Sequence, residues 1–91
     1  MLKVSTPAAQ RMAHLLSPKE DDAVLRIVRD KGRMRLRVSL VRPGDQTVTH
    51  DGRIVLALDE RMDRSLSKRQ LDLRQTDAGP RLNLRTAPKK P

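Results

Sequence analysis

The chain has 91 residues, no cysteine and no aromatic residue, and it sets 20 Lys and Arg against 11 Asp and Glu for a formal net charge of +9. One domain fits that length, and so small a domain buries a modest share of its surface. Disulfides and thiolate metal sites are excluded, and Leu, Val, Ile, Met and Ala must fill the core without any ring to help.

The charge favours attraction to polyanions. Arginine outnumbers lysine fourteen to six, however, and a general compositional preference for Arg over Lys produces the same bias with no function attached. No apolar run has the length of a secretory signal or a membrane span. The expectation is a cytoplasmic protein that does not enter a membrane.

Leu2 and Val4 flank Lys3 and predict a short first strand. Thr6 can cap a helix, and Pro7 suits its first position because the missing N–H is not needed there. Ala9, Met12, Ala13 and Leu16 then fall on one helical face, and Ser17-Pro18 ends the pattern. A second strand is expected at Ala23–Arg29, apolar on both faces. Gly32 supplies a turn. Met34, Leu36, Val38 and Leu40 next alternate with Arg33, Arg35, Arg37 and Ser39, which predicts a strand with one apolar and one basic face.

Pro43-Gly44-Asp45 closes that strand, and Thr47-Val48-Thr49 reads as a short extended piece. Asp51-Gly52 is a hairpin turn. Ile54, Leu56 and Leu58 alternate with Val55 and Ala57 in the most apolar strand, expected at the centre. Asp59 can cap a short helix running to about Leu66. Leu71 and Leu73, then Leu82 and Leu84, mark two further strands around a turn at Thr76–Pro80. Residues 86–91 read as a flexible basic tail, and residues 1–85 as a single domain. The order of elements is α+β with a mainly antiparallel sheet.

Several of these strings resemble the HesB-like domain, the fold of the A-type iron–sulfur carriers. LKVSTPAAQRMAHLL is similar to that family's opening strand and helix. AVLRIVRDKGRMRLRVSL resembles its long paired strands joined at a glycine turn. DGRIVLALDERMDRSLSKRQLDLR resembles its strand, short helix and return strand, and RLNL stands where the family has its last strand. The resemblance implies a compact, mainly antiparallel barrel or sandwich of short strands, with an N-terminal helix and a second short helix. It also implies binding and transfer of an iron–sulfur cluster through three cysteines. One follows the glycine turn between the long strands, and two form a Cys-x-Cys pair near the C-terminus. Here the first position falls at about Arg33, and the chain ends RTAPKKP with no counterpart of the pair. Iron needs soft thiolates, and a guanidinium has no lone pair to offer it. No cofactor or metal ligand is therefore carried over, and no enzyme activity is expected. The reading is a non-catalytic structural or interaction module.

Other candidate chemistry is sparse. His14 and His50 are far apart and read as ordinary surface histidines. No serine has evident His and Asp company, and the four glycines are isolated turn residues rather than a phosphate loop. Arg33, Arg35 and Arg37 remain as the candidate contact. Three readings of that row are open: a solvated face, a contact to a protein partner, and a contact to a nucleic-acid backbone. The lack of stacking aromatics counts against single strands and RNA. Apolar Val55 and Ala57 on the second face of their strand, and the strand at Ala23–Val28 with apolar residues on both faces, leave two readings open: cover by the first helix, or by a second copy in a homo-oligomer.

Overall fold

The computed structural model describes residues 2–86. Its elements run β1 (Lys3–Val4), α1 (Thr6–Leu16), β2 (Val24–Asp30), β3 (Arg33–Ser39), β4 (Gln46–His50), β5 (Arg53–Leu58), α2 (Glu60–Ser65), β6 (Arg69–Thr76) and β7 (Gly79–Thr86). The strands form two sheets, ordered β1-β6-β7 and β3-β2-β5-β4. This is the expected α+β sandwich of short strands with an N-terminal helix and a second short one. Pairing is antiparallel except where β1 meets β6 and where β2 meets β5. The expected tail residues 87–91 lie outside the described residues, and Thr86 closes β7 opposite Arg69.

The four-stranded sheet is two hairpins laid side by side. Lys31 and Gly32 both take positive φ, 50° and 77°, and so do Asp51 and Gly52, at 50° and 79°. Two successive left-handed residues give the turn whose twist matches paired strands. Gly32 was legible from sequence, and Lys31 was not, because a lysine seldom adopts that region. The hairpins β2–β3 and β4–β5 meet through the parallel pair β2–β5, so β3 and β4 become opposite edges. The connection 40–45 must therefore pass from one edge to the other.

Helix α1 begins one residue earlier than the sequence reading has it. Ser5, not Thr6, is the cap: its hydroxyl oxygen accepts the Ala8 N–H at 3.2 Å. The same hydroxyl donates to Asp72 Oδ1 at 2.7 Å, and the Ser5 N–H donates to the Leu71 carbonyl at 3.0 Å. A serine with its short reach satisfies all three at once, which ties the helix start to β6. Ala8, Ala9, Met12 and Leu16 are buried along one face. That face packs on β2, β4, β5 and β6. Helix α2 starts as expected, with Asp59 accepting the Met62 N–H at 2.7 Å.

The core lies between the sheets and under α1. Met12, Leu16, Val55, Leu56 and Leu58 are its largest fully buried side chains. Each such aliphatic side chain contributes about 1.5–3 kcal/mol through removal from water. Strand β5 departs from simple alternation. Its register against β4 skips between Val48↔Leu56 and Thr49↔Ile54, leaving Val55 unpaired. A bulge of this kind puts two residues against one and reorients side chains. Val55 joins the core cluster, and Ile54 turns to the outer side beside Val24, Leu40 and Val41. Val55 and Ala57 are fully buried within the single chain. These two side chains supply no surface for a second copy, and cover from within the chain is the reading that holds for them. Val38 and Leu40 also depart from expectation, being 52% and 54% exposed: Val38 stands near the end of the edge strand β3, and Leu40 lies past that end, beside Val24, Val41 and Ile54.

Candidate functional site: the arginine row of the edge strand

Strand β3 owes its two-sidedness to period-two alternation. Opposite it on β2, Arg26 faces Arg37, Val28 faces Arg35 and Asp30 faces Arg33. Directly opposed residues share a face, so Arg33, Arg35 and Arg37 stand on the outer side of the sheet together with Arg26, Val28 and Asp30. All three β3 arginines are exposed. The structure thus brings the three predicted residues together in one row.

One carboxylate serves that row. Asp30 Oδ2 lies 3.3 Å from Arg35 Nε and 3.7 Å from Arg37 Nη2. Exposed pairs of this kind contribute about 0–1 kcal/mol. Arg33 forms no ion pair among the described residues. Three guanidiniums beside one carboxylate leave a local excess of positive charge, on side chains free to reorganise around an anion.

A fourth arginine behaves differently, and sequence reasoning passed over it. The side chains of Arg26 and Asp45 are 8% and 3% exposed. The Arg26 guanidinium grips both carboxylate oxygens of Asp45, with Nη1 to Oδ1 at 3.1 Å and a closer Nη2–Oδ2 contact. Nη2 also donates to the Leu40 carbonyl at 3.0 Å, and Nε to the Ser39 hydroxyl at 3.4 Å. Asp45 in turn accepts the Arg42 N–H at 2.7 Å. Arg26 therefore holds both ends of the 40–45 crossing. The hydrogen bond from Arg26 drives the Asp45 carboxyl below its ordinary range, against the opposing effect of burial. The same bond raises the guanidinium further above its already high range. A charged residue in the middle of apolar Val24–Val28 was the available signal. Because Arg26 is committed to Asp45, it adds little to the exposed row beside it.

The histidines stay apart from this site. His14 is exposed on the last turn of α1, and His50 Nε2 sits 3.4 Å from Asp51 at the β4–β5 turn. Among the described residues no group of three or more His, Cys, Asp or Glu side chains converges to hold a metal ion. No helix of the described residues is long and apolar enough to cross a membrane. Asp72 is held below the ordinary carboxylate range, chiefly by the Ser5 hydroxyl, with the Leu73 N–H and Arg85 assisting. Its partners all belong to the junction of α1 with the three-stranded sheet.

No protein-family model matches the chain, and no curated protein matches its sequence. Solved structures do match. Escherichia coli SufA, involved in biosynthesis of iron–sulfur clusters, superposes with a TM-score of 0.71 at 15% identity, over 93% of this chain and 84% of SufA. IscA with a [2Fe-2S] cluster gives 0.66 at 15% identity, over 94% and 85%. A protein from Aquifex aeolicus solved by NMR gives 0.63 at 17% identity, over 93% and 90%. Arg33, the approximate counterpart of the first cysteine expected from the resemblance, opens β3 immediately after Gly32 and projects to solvent. The chain has the HesB-like fold of SufA and IscA, in a divergent form that contains no cysteine.

Proposed function

We propose that this chain is a non-catalytic, cytoplasmic interaction module built on the HesB-like fold, holding no iron–sulfur cluster and meeting an acidic protein partner through Arg33, Arg35 and Arg37. One observation carries the reading. The scaffold is kept nearly end to end, and Arg33, the approximate counterpart of the first cysteine on the sequence resemblance, is exposed at the head of an exposed arginine row. A guanidinium cannot ligate iron, but its planar fork matches carboxylate oxygens. Fold likeness alone does not bring a site with it. Anaerobic incubation with ferrous iron and sulfide tests the first half. The desalted protein is expected to carry no stoichiometric iron and no visible charge-transfer absorbance. Stoichiometric iron with such a band would overturn it.

A nucleic-acid backbone is the competing partner for the same row, and the net charge of +9 favours it. Three phosphate contacts predict a log–log salt slope of about −3 for duplex binding. Asp30 beside the row repels a phosphate and a partner carboxylate alike, so direct binding separates the two readings. A mobility shift on duplex DNA at low salt, lost in a variant with all three arginines changed to serine, would establish that reading in place of the first.

A further inference from the structure

Strand β3 closes one side of the four-stranded sheet, and β7 closes one side of the three-stranded sheet. Helix α1 packs on β2, β4, β5 and β6, so the side of the sandwich bounded by β3 and β7 is left to its own side chains. There a cleft of about 420 Å³ opens between the sheets. Arg35, Arg69 and Asn83 line it, and its aliphatic walls are Ile27, Met34 and Leu36 from one sheet and Leu71, Leu82 and Leu84 from the other. Ile27 and Leu71 are buried, and the other four aliphatic residues are half-buried. Met34, Leu36, Leu82 and Leu84 pack against the core cluster, and this chain has no aromatic residue to fill the space that remains beside them.

An edge strand presents a row of unpaired N–H and C=O groups, a template for another strand. On β3 that row runs between two chemically distinct faces. Met34 and Leu36 line the cleft, Arg33 and Arg37 stand on the opposite side, and Arg35, which pairs with Val28 on that opposite side, also borders the cleft. A strand added along this edge alternates in the same way. Every second side chain enters the cleft, and those between lie beside the arginines. Both demands are met by one pattern: acidic, apolar, acidic, apolar, acidic.

We propose that the edge of β3 accepts an extended segment of a partner protein in which Asp or Glu alternates with large apolar residues, as an added strand that fills the cleft between the two sheets. This rests on the interaction-module reading and names the partner's chemistry. A second copy of this chain does not meet the description. Two β3 edges paired with each other would set arginine against arginine on the shared outer face, and like charges directly opposite are destabilising. The Asp30 carboxylate is the internal stand-in: it already occupies Arg35 and Arg37 from the β2 side, and a partner carboxylate on the free side completes the pattern.

The test uses the full chain and three fluorescein-labelled seven-residue peptides, the length of β3. The first alternates Glu with Leu and Phe. The second is its scramble, with the acids grouped. The third repeats the first with N-methyl groups on the alternate amides that would face β3. The first is expected to bind, and the other two at least about tenfold more weakly, equivalent to roughly 1.4 kcal/mol or more. Amide exchange along β3 is expected to slow on binding. Changing Arg35 and Arg37 to serine, both exposed, is expected to weaken the first peptide by a similar factor while the thermal unfolding midpoint holds. Equal binding of the alternating and scrambled peptides would overturn strand addition in favour of charge attraction alone. Tighter binding of duplex DNA than of the alternating peptide would overturn it in favour of a nucleic acid. No binding of any peptide would overturn it outright. Cluster uptake in the separate iron and sulfide experiment would instead overturn the module reading, whatever the peptides do.

Discussion

Arg26 and Asp45 show why a charge in an apolar strand deserves a partner search. Their side chains are nearly withdrawn from solvent, and the guanidinium fork uses both carboxylate oxygens, a backbone carbonyl and a hydroxyl. Such a pair stabilises little against an apolar replacement of both members, but loss of one member strands a buried charge. Arg26→Met is expected to cost about 3–5 kcal/mol in urea unfolding. Arg26→Lys, which keeps the charge but not the fork, is expected to recover part of that and to leave the Leu40 carbonyl unserved. A cost below about 1 kcal/mol for Arg26→Met would mean that the pair behaves as a solvated surface contact. The sequence showed Arg26 plainly enough. Its partner was out of view because Asp45 is nineteen positions away, across a connection that reads as an ordinary Pro-Gly-Asp turn.

At the level of elements, the local grammar of the chain was readable and the long-range adjustments were not. Strand β3 was legible from Arg33 to Arg37, because Met34 and Leu36 alternate with arginines without exception, while the exposure of Val38 and Leu40 was not. The hairpin at Asp51-Gly52 and the Asp59 cap were equally clear. The bulge at Val55 was hidden, since Ile54-Val55-Leu56 is apolar throughout and either phase fits it. The start of α1 shifted from Thr6 to Ser5 for a tertiary reason. Both residues can cap, and only Ser5 is placed to reach Asp72 on β6 and the Leu71 carbonyl as well. Ser5→Ala removes the cap and the Asp72 contact together. The expected loss is about 1–2 kcal/mol, a typical cap loss at its upper end. Thr6→Ala, one residue on, is expected to change stability by less than about 0.5 kcal/mol. Equal effects of the two substitutions in chemical denaturation would return the cap to Thr6.

For the whole molecule, two sheets and one helix depend on carboxylates at two separate junctions. Asp45 fixes the crossing over the four-stranded sheet, and Asp72 fixes α1 to the three-stranded sheet. Both are held below the ordinary carboxylate range, the first mainly by Arg26 and the second mainly by Ser5. The fold class was visible in the order of elements, but these junctions were not, because each joins residues distant in sequence. Their consequence is a global pH dependence with a definite sign. As pH falls, the unfolded chain protonates these carboxyls first while the folded chain resists, so the unfolded state binds more protons and stability drops. The contribution is complete above about pH 5 and is lost as pH falls through the ordinary carboxylate range toward the lower folded values. Charge works in the same direction. Protonating 11 Asp and Glu leaves 20 Lys and Arg uncompensated, and that self-repulsion opposes a compact state. Urea midpoints measured between pH 7 and pH 3 are expected to hold steady at first and then fall steeply. In Asp45→Asn the neutral-pH midpoint is expected to be lower and the acid slope shallower, because one of the depressed groups no longer titrates. Added salt separates the two causes: it restores stability at acid pH where self-repulsion dominates, and leaves unchanged the portion that the buried Arg26–Asp45 pair supplies. A midpoint unchanged down to pH 3 would show that neither junction depends on an ionised carboxylate.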